Sequence, residues 1–219
     1  MEVRPIVGLY GKLPCRGDFL RRRLPLEFVE PWDSWLQECL TRSRQKLQEH
    51  WLDAYLVSPV WRFALAGGVC GEGACAGVLL PSVDLVGRYF PLTLVARWAG
   101  TLSPLMIACG QAPWFDFAQA LALQALEAPV LDFEDFDSRV AALGAQWHMP
   151  TAADRSVQSV LSLMGFKALE RGLNPVSLWW TEGSGELDPV VICVSGLPDP
   201  DSFSGMLSGQ VVSGCAGGL

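Results

Sequence analysis

Half of the 219 residues are hydrophobic and 18% are charged, which provides for a folded core and excludes a disordered chain. The net charge of −7 excludes nucleic acid as the main partner, because neutralising phosphates requires a surplus of Lys and Arg. The charge is uneven: residues 1–100 hold 12 basic and 10 acidic side chains and residues 101–219 hold 4 and 13, which reads either as ordinary solvated faces or as a cationic patch opposite an acidic surface.

The length suits one domain, expected over residues 1–207, with the Gly-rich stretch 208–219 as a flexible tail. The start, MEVRPIVGLYGK, has an early acid and lacks the apolar core of a secretory leader, and no apolar run is long enough to span a bilayer. Seven Cys without a regular framework fit free, mostly buried thiols in a reducing compartment, so a cytoplasmic protein is expected.

In chain order, Ile6 to Tyr10 reads as a short strand and FLRRR as a second extended piece or the rim of a loop. The clearest helix follows, with Pro31 in its first turn, Trp32, Trp35, Leu36, Cys39 and Leu40 on one face, and Arg42, Arg44 and Lys46 near its end. A short helix from His50 to Leu56 comes next. VWRFALAGGVC, CAGVLLPSVD and YFPLTLVARW are strand-like, and their short connections imply antiparallel neighbours. PWFDFAQALALQALEAP and FEDFDSRVAALG are helical, the second stopping at Gly144, and DRSVQSVLSLMGFKALERG offers further helical pieces capped by Asp154. Strands return at PVSLWWTEG and DPVVICVSGLP, before a last short helix in DPDSFSGMLSG. The fold class is therefore α/β: one mixed sheet, largely antiparallel at its centre, flanked by helices as an αβα-type sandwich.

Catalytic chemistry finds little support. The two His, His50 and His148, lie in ordinary segments, and no Ser sits on a nucleophile elbow. Cys70 and Cys75 span a hairpin turn with no second pair to complete a metal site, so packing explains them better. GLYGKLP has no Ser or Thr after its Lys and lacks the full length of a phosphate loop, and GGVCGEGACAG is followed by strand-like residues where a phosphate cradle would open a helix. The acids Asp132, Glu134, Asp135 and Asp137 open a helix, where they suit the dipole and cap. No catalytic residue, cofactor or metal is expected.

What remains is a cationic opening stretch, GKLPCRGDFLRRRLP, with Arg62 between two aromatics of a strand and Arg88 in the PSVDLVGRYFP turn. A strand Arg among aromatics must find a carboxylate or water, and Asp18, Asp33 and Asp84 are its candidate partners. Either these cations form an internal ion-pair network or they recognise a partner. Trp179 and Trp180 are adjacent on a strand and face opposite sides, so one is core and the other is a candidate contact anchor. The candidate partner-binding residues are Lys12, Arg16, Asp18, Arg21, Arg22, Arg23, Arg62, Arg88 and Trp180. In this reading Gly17 allows a turn, Asp18 ties the loop down, and Arg21, Arg22 and Arg23 face an acidic partner.

Five segments, GLYGKLPCRGDFLRRRLP, WDSWLQECL, WLDAYLVSPVWRF, GVLLPSVDLVGRYFPLTL and SLWWTEG, in that order, resemble the TagF/ImpM family of type VI secretion-associated proteins. The resemblance is dense from Gly8 to Trp98 and thins afterwards. It implies an α/β sandwich and a cytoplasmic, non-enzymatic, post-translational repressor of a bacterial contractile secretion machine. It further implies action through the system's forkhead-associated scaffold protein, in parallel with a threonine-phosphorylation switch, and it carries no catalytic motif. The alternative reading from the residues is an enzyme or small anionic-ligand sensor built on Lys12, Arg16 and Arg62.

Overall fold

The computed structural model describes residues 4–100, 102–110, 112–128, 130–147, 175–183 and 189–208. Among the described residues seven strands form one sheet: β1 (Ile6–Gly11), β2 (Leu20–Arg22), β3 (Trp61–Leu65), β4 (Cys75–Leu80), β5 (Leu92–Arg97), β6 (Val176–Thr181) and β7 (Val190–Ser195), in the order β2-β1-β5-β4-β3-β6-β7. Every ladder is antiparallel, at the edges as well as the centre. Among the described residues the helices are α1 (Leu26–Leu47), α2 (Trp51–Leu56), α3 (Pro104–Gly110), α4 (Ala112–Glu127), α5 (Phe133–Ala142) and α6 (Phe203–Ser208).

The period-2 alternation of the strands divides the core into two layers. On one side Val7, Leu9, Val78, Leu92 and Leu94 meet Ile107 of α3, Trp114 and Phe115 of α4, and Phe136 and Val140 of α5. On the other side Trp61, Phe63, Leu79, Val95 and Trp179 meet Phe28, Trp32 and Trp35 of α1, Trp51 and Tyr55 of α2, and Met206 of α6. The expected α/β sandwich is thus present, with a core on each face of the sheet. The second layer is dominated by aromatics: Trp32 stacks on Trp179 at 5.8 Å and on Phe28 at 5.4 Å, and it packs against Phe63 at 4.8 Å. Such ring pairs add about 0.5–1.5 kcal/mol each beyond the area they bury.

Several boundaries move. α1 begins at Leu26, where the carbonyl of Pro25 accepts from the N–H groups of Phe28 and Val29, so Pro31 falls inside the helix and not in its first turn. Position 31 supplies no N–H to the carbonyl four residues back, a loss confined to one bond near the helix start. The α5 segment does not stop at Gly144; a 3₁₀ turn carries it through Leu143–Gln146. α6 runs to Ser208, one residue into the expected tail. The helical pieces expected in DRSVQSVLSLMGFKALERG, the Asp154 cap, His148 and the remainder of the tail lie outside the described residues.

The thiols of Cys39, Cys70 and Cys75 are buried and free of disulfides. Burial pushes that of Cys75 up to about 12 even though Arg97 draws it down, so it packs as a neutral side chain. No helix among the described residues is long and apolar enough to cross a membrane.

Candidate partner-binding face

The cationic stretch begins where β1 ends. Gly11 has φ 127°, and a Cβ there would lie 2.0 Å from the Pro91 carbonyl oxygen, so only glycine lets the chain turn against the sheet at this point. Lys12 then enters the interior. Its ammonium meets the Asp84 carboxylate at 2.8 Å, with both side chains at most 6% exposed. The same carboxylate oxygen accepts from Nε of Arg88 at 2.6 Å, and its other oxygen accepts from the backbone N–H groups of Val86 and Arg88. Burial alone would raise the Asp84 carboxyl; the Lys12 ammonium and the Arg88 and Val86 donors outweigh it and hold the group well below the usual carboxylate range.

Asp84 thereby fixes a tight turn. Its N–H donates to the Arg88 carbonyl at 3.1 Å, the Gly87 N–H donates back to the Asp84 carbonyl at 3.0 Å, and Gly87 takes φ 83°. The base of the turn is held by the Tyr55 hydroxyl, which donates to the Ser82 carbonyl at 2.9 Å, and by Ser82 Oγ, which donates to the Lys12 carbonyl at 2.7 Å. The two loops are joined directly: the Leu85 N–H donates to the Arg16 carbonyl at 3.0 Å, and Arg88 donates to the Gly17 carbonyl. Residues 12–19 and 82–90 are therefore one cross-braced unit. Leu85 and Val86 stand out of it at 67% exposure each, and Phe19 at 50% while packing edge-on against Phe90 at 4.8 Å.

The loop is thus tied down by Lys12 and Arg88 through Asp84. Asp18, expected to do this, is exposed and makes no hydrogen bond or ion pair among the described residues. Gly17 has open space around it and no left-handed φ, so the turn does not depend on it.

The three consecutive arginines divide. Arg23 adopts φ 55° and, though exposed, is fully engaged, donating from Nε to the Val7 carbonyl at 2.7 Å and in bidentate fashion to Asp137 at 2.7 and 2.9 Å. Arg22 sits 3.7 Å from Asp137, over the Phe133 ring at 4.9 Å, and Arg16 lies over the same ring at 5.0 Å. Asp137 is therefore more than part of a helix-start acid cluster: it pins the β2 edge to α5. Asp132 does take the expected role, capping α5 by accepting from the N–H groups of Glu134 and Asp135. Arg21 alone of the three is exposed with no side-chain hydrogen bond or ion pair among the described residues.

Arg62 is buried on the α4 face of the sheet, away from all three carboxylates expected for it. Asp84 serves Lys12 and Arg88, and Asp33 accepts from the Tyr10 hydroxyl. Arg62 reaches Asp116 at 2.8 Å, Glu182 at 2.7 Å and Gln119 at 3.0 and 3.2 Å. Its head group is engaged throughout, and the Lys12 ammonium is buried against Asp84, so Lys12, Arg16 and Arg62 are not assembled around a common anion. Trp179 is fully buried, whereas Trp180 lies half-buried on the other face, edge-on to Phe115 at 4.7 Å. The exposed apolar residues Phe19, Leu85 and Val86 escaped the sequence reading, which weighed charges in these loops. The available signal was a turn, DLVGR, whose shape needs only its Asp and Gly and leaves Leu and Val without a local task.

Among the described residues no three His, Cys, Asp or Glu side chains group in a way that could hold a metal ion. The sequence profile of the TagF N-terminal domain, described as type VI secretion system-associated, matches residues 8–143. The chain is also similar to PA0076 from Pseudomonas aeruginosa PAO1, known from a crystal structure. The two are 37% identical with a TM-score of 0.79, over 93% of this chain and 94% of that one. No curated protein matches it.

Proposed function

The chain belongs to the TagF family of type VI secretion-associated proteins, and on that premise we propose that it is a non-enzymatic regulator that represses the secretion machine after synthesis of its parts. It works in the cytoplasm by binding the system's forkhead-associated scaffold protein. The observation that carries this reading is the cross-braced face of residues 12–19 and 82–90, where a buried Lys12–Asp84 pair, bridged by the exposed Arg88, holds apolar and cationic side chains in a fixed arrangement. Order of this kind lowers the entropic cost of docking a partner. Arg16 and Arg21 offer planar multi-donor head groups to carboxylates on the scaffold.

The test has two arms. In cells running the system, removing the protein raises secretion and restoring it lowers secretion again. With purified components, the scaffold binds the wild-type chain, and the double variant R16E/R21E loses at least tenfold in affinity while unfolding at the wild-type temperature. Unchanged secretion on removal, or wild-type affinity in the double variant, refutes the reading.

A further inference from the structure

Leu85 and Val86 are held out in water by a turn that does not need them. Its shape comes from Asp84, which accepts from two N–H groups beyond it, and from Gly87 in the left-handed region. Turn centres favour small polar residues, yet here two large apolar side chains are 67% exposed side by side. The hairpin is rigid before any partner arrives, being fixed by the buried Lys12–Asp84 pair, the Arg88 bridge and the backbone bond to Arg16.

The charge around the tip is positive. Lys12 is buried against Asp84, and Arg22 and Arg23 are paired with Asp137, so the exposed cations beside the tip are Arg16 and Arg88. Next to the tip an apolar hollow of about 280 Å³, lined among others by Pro14, Leu56, Pro81, Val83 and Leu126, extends the same surface.

We propose that the 84–88 hairpin is a plug, with Leu85 and Val86 entering an apolar pocket rimmed by carboxylates on a partner protein, and Arg16 and Arg88 meeting that rim. The proposal rests on the regulatory reading above and names its docking element and the chemistry of the surface it fits. An exposed pair of this kind, preordered and ringed by charge, has the make-up of an interface anchor. A phospholipid surface fits less well, because two side chains insert little apolar area. A second copy docked tip to tip fits less well too, since it would bring one cationic rim against another.

The experiment measures binding of the full chain to the purified forkhead-associated scaffold and compares L85S/V86S with V191S, an exposed apolar position on β7. The expected result is a loss of at least tenfold for L85S/V86S, none for V191S, and wild-type unfolding temperatures for both. Wild-type affinity in L85S/V86S overturns the plug and leaves the regulatory reading standing. If the wild-type chain does not bind the scaffold, the partner assignment falls. The plug is then decided by a benzophenone amino acid placed at position 86 in living cells. Adducts to a protein whose cross-linked peptide is apolar and flanked by Asp or Glu support it. Adducts to lipid or to a second copy, or no adduct, overturn it.

Discussion

Lys12 and Arg62 are both buried cations on strands or strand ends, yet they are neutralised in opposite ways. Lys12 meets a carboxylate that is itself fully buried. Arg62 reaches outward to Asp116 and Glu182, whose side chains are 62% and 66% exposed. In the first case removing either partner strands a charge away from water; in the second, removing the arginine returns two carboxylates to solvent at little cost. The two clusters thus have different duties: one fixes the shape of the 12–19 and 82–90 loops, and the other fastens α4 and the end of β6 across the sheet.

D84A is expected to have the largest effect, because it leaves Lys12 buried without a counter-charge. A fall of about 10 °C in Tm, read by thermal unfolding, is the order of magnitude for such a loss in a chain of this size. K12M costs less than D84A, since Arg88 still meets the carboxylate, and K12M/D84A recovers part of the D84A loss; strict additivity of the single changes would break the account of a coupled pair. R62M should cost about 1–2 kcal/mol in denaturant unfolding, the value of lost hydrogen bonds without a stranded charge. A loss equal to that of D84A would erase the distinction between the clusters.

Acid sharpens the contrast further. The carboxyl of Asp84 titrates lower in the folded chain than in the unfolded one. Its contribution is complete above the unfolded value of about 4 and disappears as pH falls through the folded value. Unfolding experiments between about pH 4 and 2 should show a steeper decline for wild type than for D84N, while R62M follows wild type. The smallest expected effect is that of L85S/V86S on stability, within about 0.5 kcal/mol, because both side chains already stand in water.

Much of the sandwich was legible in local patterns. The Trp32, Trp35, Leu36, Cys39 and Leu40 face of α1 and the antiparallel run β3 to β5 follow from 3.6- and 2-residue periods and short turns, which local chemistry controls. The opposed faces of Trp179 and Trp180 follow from the same pleat. The face itself was half legible: its cations were evident, but their partners were not. Arg23 finds Asp137 and Arg62 finds Asp116 across 114 and 54 residues of chain, pairings set by which helix packs on which side of the sheet. Arg22 and Arg23 looked like one free basic run with Arg21, because nothing local reveals that Arg23, at φ 55°, gives its head group to Val7 and Asp137. Pro31 looked like a helix start because proline is common there, whereas the carbonyl of Pro25 had already started α1.

The indole packing of the second core layer has an optical consequence. Trp32, Trp35, Trp51, Trp61, Trp98, Trp114, Trp147 and Trp179 are all buried, and Trp180 is half-buried. Native fluorescence should therefore peak toward the blue, and the near-parallel Trp32 and Trp179 rings, 6° apart, favour excitonic signals in near-ultraviolet dichroism. No indole lies on residues 12–19 or 82–90, so these spectra follow collapse of the interior and leave events at the outer rim to a dye placed there.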